Sequence, residues 1–288
     1  MHTTLISPGL LEAHLSDSSW FIADCRYNLK DEAWGRAQYV AGHVPGAVFV
    51  DLAHDLAAPR TGTNGRHPLP AIDTMAATFA RLGIGDRTQV IAYDQDAGAF
   101  ASRLWWMLRY LGHEAVAVLD GGFARWTREG RAVRGGDDTR APATFTPRPR
   151  GDMRVTADEV VARLGDPSMR LIDARSPERF AGQPDPLDTV YGHIPRARNR
   201  HYRDNVAADG TMRPAGELKA EFERVLGERS ADEAVMYCGS GITACYNLLA
   251  MEHAGLTGAK LFAGSWSEWE ADPERPIERG SKVRRRSP

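Results

Sequence analysis

Apolar and polar positions along the chain follow two alternating patterns. Short apolar runs that end on polar residues, such as WFIADCR at 20–26, are typical of buried parallel strands that lead into loops. Between them lie stretches with helical spacing. Two of these begin with helix-start signals, Ser7 followed by Pro8, and Thr156 with Glu159 three residues later. Strands that alternate with helices predict α/β domains, each with a mainly parallel sheet flanked by helices.

The same pattern occurs twice. Four pairs of blocks match in the same order: 20–26 with 170–176, 42–47 with 192–197, 90–113 with 234–255, and 118–126 with 261–269. We therefore predict two tandem domains of one fold, 1–135 and 154–280. The stretch 136–153, rich in Gly, Pro and charge, is predicted to be a linker, and 281–288 a basic tail.

Composition narrows the class of protein. The chain has 288 residues, 42% hydrophobic and 26% charged, with a net charge of −2, which is ordinary for globular domains and favours neither nucleic acid nor a membrane surface as a partner. No apolar stretch approaches the roughly 20 residues of a membrane span, and the N-terminus lacks the features of a signal peptide. We expect a cytoplasmic protein.

The three cysteines indicate free thiols. Their odd number, without CxxC or His/Cys ligand spacing, argues against a disulfide framework and a zinc site. Cys238 stands where the apolar run AVMY meets glycines and a helical stretch, the position at which α/β sheets bind ligands. Gly239 and Gly241 would let the backbone curl so that the loop amides point at one centre, which favours an anion.

Cys238 could be a buried small residue, a redox thiol, a phosphatase nucleophile or a carrier of sulfur. Alignment of the two halves puts Asp94 in its place, so only the second half has a thiol there. A phosphatase would need an arginine six residues after the nucleophile, where this chain has Ala244. Cys245 and Cys25 are predicted to be buried structural residues.

Three segments resemble a known family. YVAGHVPGAVFV at 39–50, AKLFAGSWSEW at 259–269 and the loop CGSGIT at 238–243 are similar to signatures of the two-domain rhodanese family, the thiosulfate and 3-mercaptopyruvate sulfurtransferases. The resemblance implies two tandem rhodanese-like domains, of which only the second is catalytic, and no metal or organic cofactor. It also implies double displacement. Cys238 would take sulfane sulfur from a small-molecule donor, become a persulfide and pass the sulfur to cyanide, a thiol or a thioredoxin-like protein.

The resemblance also assigns site residues. Cys238, Ser240 and His67 are the catalytic candidates, with His67 and Ser240 polarising the substrate or moving a proton. Arg179 would bind the substrate carboxylate. The remaining substrate-binding candidates lie in the cysteine loop: Gly239, Gly241, Ile242 and Thr243. Because this loop has no basic side chain and reads CGSGxT, 3-mercaptopyruvate is favoured over the dianion thiosulfate as donor.

Two positions depart from the family pattern. The mercaptopyruvate branch has a second substrate arginine after Arg179, but residues 180–195 contain none. Three later arginines are candidates for this charge: Arg196, Arg198 and Arg200. An expected aspartate is Ala53 here, and Asp55 is a possible substitute. These departures keep an alternative open, a persulfide or redox relay that docks on a protein and turns over small donors poorly.

Residues that recur in both halves are interpreted as structural, because the half without a thiol carries them too. They are Arg26 and Arg175, and His43 and His193.

Overall fold

The computed structural model describes residues 1–280, so the basic tail predicted at 281–288 lies outside the described residues. The first half contains ten helices and strands: β1 (Leu5–Ile6), α1 (Pro8–Glu12), β2 (Trp20–Asp24), α2 (Glu32–Ala41), β3 (Ala47–Phe49), α3 (Ile72–Leu82), β4 (Gln89–Tyr93), α4 (Ala101–Tyr110), β5 (Val116–Leu119) and α5 (Gly122–Arg128).

The second half repeats this series. Its elements are β6 (Arg154–Val155), α6 (Ala157–Ala162), β7 (Arg170–Asp173), α7 (Pro177–Ala181), β8 (Arg198–Asn199), α8 (Ala215–Leu226), β9 (Ala234–Tyr237), α9 (Thr243–His253), β10 (Lys260–Phe262) and α10 (Ser265–Trp269). Short 3-10 helices occur at Gly151–Met153, Tyr202–Asn205 and Ala231–Glu233.

Both sheets have five parallel strands and the same topology. The strand order is β1-β5-β4-β2-β3 in the first half and β6-β10-β9-β7-β8 in the second. The duplication and the α/β fold are therefore confirmed. The helix-start signals also act as predicted: Ser7 Oγ accepts the N–H of Leu10, and Thr156 forms a capping box with Glu159.

A buried ion pair follows the second strand of each half. Arg26 binds Asp24 and donates to the carbonyl of Gly42 at 2.7 Å, while Arg175 binds Asp173 and donates to the carbonyl of Gly192 at the same distance. Both arginines connect the end of a strand to the loop before the next strand. His43 and His193 likewise each bind a backbone carbonyl through Nδ1. These matched contacts fit structural roles in both halves.

The two halves share one apolar core. Helices α4 and α9 pack against each other, and every residue of α4 is buried. A helix that is buried all round needs neighbours on every side, which for α4 include β4 and β5 of its own sheet and α9 of the other half. The carboxyl ends of β4 and β9 lead into α4 and α9, so the loops that precede these helices lie next to the domain interface. No helix within residues 1–280 has the length and apolar character to cross a membrane.

The loop after β4 is closed by a carboxylate. Asp94, 1% exposed, accepts backbone N–H groups from Asp96, Gly98, Phe100 and Ala101 at 3.0, 2.9, 2.7 and 3.2 Å. The loop amides therefore converge on one point, as predicted for the matching loop after β9. In the first half, the group that accepts these amides is a carboxylate of the protein itself, that of Asp94.

We predict that Asp94→Ala lowers the free energy of unfolding by about 2–4 kcal/mol, because several loop amides lose a charged acceptor. Denaturant unfolding measures the change. Asp96→Ala is the matched control, since Asp96 is exposed in the same loop. Similar stability of the two variants would contradict the role of the Asp94 carboxylate.

Candidate active site

The cysteine loop begins directly after β9. Cys238 is 1% exposed, and the chain then turns through Gly241, whose φ of 75° is in the left-handed region. A Cβ at 241 would lie 2.0 Å from the carbonyl oxygen of Ala263, so only glycine fits. At Gly239 a Cβ would lie 2.7 Å from Nη2 of Arg66 and 3.0 Å from Nη2 of Arg179, so the ends of these two side chains lie against the loop.

The loop amides of 239–243 differ from those of the first half. Within residues 1–280, none of these five N–H groups has a protein acceptor, whereas Asp94 fills the corresponding position after β4. Cys238 takes the place of Asp94, so the loop after β9 has unpaired amides and a thiol where the loop after β4 has a carboxylate that accepts its amides. Such a loop can stabilise a thiolate, a persulfide anion or an anionic group of a substrate.

The backbone of Cys238 is held by α10. Its N–H donates to Oγ of Ser265 at 3.0 Å, and its carbonyl accepts the N–H of Trp266 at 2.9 Å. Ser265 has a φ of 56°, which is rare for a non-glycine residue, and the first half has Gly122 with a φ of 55° in this place. Ser265 therefore accepts a strained backbone and supplies a hydroxyl that glycine lacks. Ser265 was not among the predicted site residues, although alignment of the repeats shows a serine here in place of Gly122.

His67 and Ser240 meet across the domain interface. Nδ1 of His67 lies 2.8 Å from Oγ of Ser240, and the two residues are 3% and 6% exposed. Burial and the positive charge of Arg103 lower the pKa of His67 from 6.5 to about 3. The imidazole is therefore neutral at physiological pH, and a neutral imidazole can accept a proton on one nitrogen while donating from the other.

Arg179 and Arg66 lie over the other side of the loop. Arg179 donates to Asp188 through Nε at 2.8 Å and also through Nη2, and its Nε is 3.8 Å from Asp185. Arg66 comes from the first half. It donates through Nη1 to the carbonyl of Leu187, and the same nitrogen lies 3.9 Å from Asp188. Guanidinium groups from both halves thus converge beside Cys238.

Comparison with known proteins decides the family. Residues 7–129 and 156–272 each match the model of the rhodanese-like domain. The chain belongs to the rhodanese family of sulfurtransferases. A Pseudomonas aeruginosa protein named "Probable 3-mercaptopyruvate sulfurtransferase" is 42% identical over 278 residues, which cover 96% of this chain and 98% of that protein.

Two further relatives agree with this assignment. The mitochondrial thiosulfate/3-mercaptopyruvate sulfurtransferase 1 of Arabidopsis thaliana is 34% identical and covers 96% of this chain and 76% of its own. The structure of 3-mercaptopyruvate sulfurtransferase from Leishmania major superposes with a TM-score of 0.85 at 32% identity, over 96% of this chain and 76% of that one. The predicted family and its tandem arrangement are confirmed.

The rhodanese loop brings most predicted site residues together. Cys238, Gly239, Ser240 and Gly241 form one turn, with Thr243 as the first residue of α9. The Ile242 side chain, 2% exposed, packs into the apolar core, so only its backbone N–H is available to the site.

The three arginines considered as second cations lie elsewhere in the rhodanese fold. Arg196 donates to the carbonyl of Gly165, Arg198 to that of Val225, and Arg200 to Glu221. Each side chain has its own partner in the second half. Arg66, which lies against Gly239 instead, precedes His67 by one residue and was not among the predicted site residues.

No carboxylate of residues 1–280 is hydrogen-bonded to His67. Asp55, the possible substitute for the missing aspartate, accepts the N–H of Asp51 at 2.9 Å and a guanidinium N–H of Arg81 instead. An Asp-His-Ser relay through Asp55 is therefore absent from the described part of this rhodanese, and the chain of hydrogen bonds from Ser240 stops at the imidazole.

The other two cysteines are buried structural groups. Burial raises the pKa of Cys245 to about 12, and its thiol donates to the carbonyl of Gly241 at 3.3 Å. Burial also raises the pKa of Cys25, which lies beside Asp24. Both thiols stay protonated at neutral pH, in agreement with their predicted packing roles.

One buried arginine links the halves beneath the loop. Arg103, on α4, is fully buried and donates to the carbonyls of Gly241, His67 and Leu56 at 3.1, 3.3 and 3.4 Å. It has no carboxylate partner among residues 1–280. The first half, although it lacks the thiol, thus supplies His67, Arg66 and this contact to the surroundings of the cysteine loop.

We predict that His67 makes the stability of the protein pH-dependent. Its folded pKa of about 3 lies below the unfolded value of 6.5, so its contribution is present above pH 6.5 and is lost as pH falls towards 3. Between about pH 7.5 and 5 the loss is about 2 kcal/mol, which His67→Asn should remove from the profile. Denaturant unfolding at each pH measures it. His54→Asn, at an exposed histidine, is the control, and parallel profiles for wild type and His67→Asn would contradict the prediction.

Proposed function

We propose that this rhodanese transfers sulfane sulfur from 3-mercaptopyruvate through a Cys238 persulfide to a thiophilic acceptor. The observation that carries the proposal is the pair of matched loops. One is closed by Asp94, and the other presents unpaired amides around a thiol. Only the second loop can take up sulfur and hold the resulting anion.

The first half-reaction forms the persulfide. The Cys238 thiolate attacks the sulfur of 3-mercaptopyruvate, the C–S bond breaks, and its electron pair passes to the methylene carbon. The proton of the substrate thiol ends on this carbon, which gives pyruvate and a persulfide anion on Cys238. The Ser240–His67 pair lies beside the thiol and is suited to polarise the substrate carbonyl or to move this proton.

The second half-reaction returns the thiolate. A nucleophile such as cyanide attacks the outer sulfur of the persulfide, the S–S bond breaks, and its electron pair stays on Cys238. We propose thiols or a thioredoxin-like protein as further acceptors. The three buried, unpaired cysteines support a reducing compartment, and we propose the cytoplasm.

Arg179 is proposed as the carboxylate anchor of the donor. Its Nε and Nη2 bind Asp188, and within residues 1–280 its Nη1 has no acceptor, so one edge of the guanidinium stays available beside Gly239. A carboxylate there would receive a charge-assisted hydrogen bond while its thiol faces Cys238.

The choice of 3-mercaptopyruvate over thiosulfate rests on the loop and on relatives. The loop side chains at 239–243 carry no charge for the second negative group of thiosulfate. The P. aeruginosa and L. major relatives are named for 3-mercaptopyruvate, and the A. thaliana relative for both donors. A protein-docking relay with little small-molecule turnover is not favoured by these full-length relatives.

We expect incubation with excess 3-mercaptopyruvate to add one sulfur atom to Cys238, because it is the thiol in the amide-lined loop. Mass spectrometry of peptides from the intact protein locates the addition. Cys245→Ser and Cys25→Ser should still be loaded, whereas Cys238→Ser should not. An unmodified Cys238 after incubation with both 3-mercaptopyruvate and thiosulfate would refute the proposed function.

We expect Arg179→Ala to reduce kcat/KM for 3-mercaptopyruvate by about 10–100-fold, the value of a hydrogen bond to a charged group. Turnover of a simple alkyl persulfide should fall much less, because this donor has no carboxylate for Arg179 to bind. Steady-state kinetics with cyanide as common acceptor measures both. Arg163→Ala, at an arginine on the second-half surface, is the control. Equal losses with both donors would rule out a carboxylate anchor.

A further inference from the structure

Arg103 is a buried cation whose hydrogen bonds all go to uncharged groups. It is 0% exposed and donates to the carbonyls of Gly241, His67 and Leu56. Within residues 1–280, no carboxylate lies within 4 Å of the guanidinium, and its Nε has no hydrogen-bond partner. Carbonyl oxygens replace part of the hydration of a cation but carry no net charge. The positive charge of Arg103 is therefore not neutralised by a described carboxylate.

Arg109, six residues further along α4, has the opposite arrangement. It is 9% exposed and also connects the halves, but its charge is paired. Glu114 of its own half lies 3.0 Å from Nη1, and Glu252 of the other half lies 3.3 Å from Nη2. Two buried arginines of one helix thus contact the other half, and of these two only Arg109 has carboxylate partners.

The charge of Arg103 acts on the cysteine loop and its surroundings. Burial, and after it the charge of Arg103, lower the pKa of His67 to about 3. Burial lowers the pKa of Arg103 itself, and the thiols of Cys245 and Cys238 oppose this lowering. Burial also raises the pKa of Cys245 to about 12, so this thiol stays neutral and donates to the carbonyl of Gly241. Of the two thiols that interact with Arg103, Cys238 is therefore the one that can become an anion at neutral pH.

The hydrogen bonds of Arg103 separate it from substrate binding. Its Nη1 donates to the carbonyl of Gly241 and its Nη2 to those of His67 and Leu56, so both nitrogens are used by the protein. An arginine always carries its charge in proteins, and in the interior this charge acts over a longer distance than in water. Loss of Arg103 should therefore change the reactivity of the thiol more than the affinity for a donor.

We propose that Arg103 is a positioning residue of the sulfur-transfer reaction, which holds the cysteine loop at Gly241 and supplies the counter-charge of the anion on Cys238. The anion is a thiolate before sulfur is taken up and a persulfide afterwards. Arg103 belongs to the half without the nucleophile, so the reactive thiolate gains this counter-charge only where the halves are docked. The inference rests on the proposed function for the persulfide, but for the thiolate it can be tested without a sulfur donor.

Alkylation of Cys238 by iodoacetamide at pH 7 tests the inference, because the thiolate is the form that reacts. Arg103→Met and Arg103→Gln both remove the charge, and the glutamine keeps an amide donor for the loop carbonyl. Each should be alkylated about 10-fold more slowly than wild type, since an opposite charge nearby favours the ionised form. Arg103→Lys keeps the charge and should recover part of the rate. Mass spectrometry of peptides, taken at successive times, measures the rate at Cys238.

Arg109→Met is the matched control, because it removes a buried arginine from the same helix and the same interface. This change leaves Glu114 and Glu252 without their cation, so the variant should be less stable than wild type. Its alkylation rate at Cys238 should nevertheless stay within about twofold of wild type. Denaturant unfolding of every variant measures stability separately. Replacement of a buried ion by an apolar side chain of similar size is often tolerated, so we expect Arg103→Met to fold.

Steady-state kinetics with 3-mercaptopyruvate and cyanide gives a second measurement. In Arg103→Met, kcat should fall about 10-fold while KM changes by less than about threefold, because the guanidinium acts on the thiol and not on the donor. Arg103→Lys should again recover part of the loss in kcat, which a purely structural role would not predict for a side chain that cannot form all three hydrogen bonds.

Three outcomes would overturn the inference: equal alkylation rates in wild type and both neutral variants, equal rates in Arg103→Lys and Arg103→Gln, or a loss of the same size in Arg109→Met. Failure of the proposed function gives a different result. In that case alkylation of Cys238 would still follow the expected order among the variants, but no sulfur donor would load the wild-type thiol.

Discussion

The buried guanidinium of Arg103 is the contact on which the geometry of the site depends. It joins the carbonyl of Gly241, in the cysteine loop, to those of His67 and Leu56, in the segment that carries Arg66. A cation removed from water costs several kcal/mol unless hydrogen bonds replace its hydration. The carbonyls of His67 and Leu56 lie in the same half as Arg103, and the carbonyl of Gly241 is added only when the two halves are docked. Domain packing and the conformation of the cysteine loop are therefore parts of one equilibrium.

The duplication explains why chemistry occurs in only one of two equal folds. Both sheets have the same strand order, and both end their central strands in a loop whose amides turn inward. In the first half, Asp94 satisfies these amides and makes the loop a rigid structural element. In the second half, Cys238 is smaller, neutral when protonated and nucleophilic when not, so the amides are left for an anion that arrives with the substrate. The exchange of Asp94 for Cys238 is the difference that leaves the loop of the second half without its own carboxylate.

The sequence allowed the fold and the reactive loop to be predicted, because both depend on local patterns. Periodicity and the glycines around Cys238 are patterns of neighbouring residues. The repeated blocks can be matched directly in the sequence. Contacts between the halves leave no such pattern. Arg66 lies 172 positions before Cys238, and no motif or charge pattern in the sequence connects it with the cysteine loop. The predicted second cations were therefore arginines of the catalytic half, and in the structure these bind other partners. Ser265 could be predicted in part. Alignment of the repeats shows that it replaces Gly122, but its left-handed backbone conformation is seen only in the structure.

The position of the site at the interface also determines the protonation state and the electrostatic surroundings of its side chains. His67 is kept neutral because it is buried between the halves near Arg103, and it reaches Ser240 only from the opposite domain. The arginines beside Gly239 are partly buried, with 25% of the Arg66 side chain and 16% of the Arg179 side chain exposed, so a hydrogen bond to an anion there is screened less than at an open surface. A catalytic domain alone would retain Cys238 but would lose the imidazole of His67 and the guanidiniums of Arg66 and Arg103. The half without a nucleophile therefore supplies an imidazole and two guanidiniums to the surroundings of the cysteine loop.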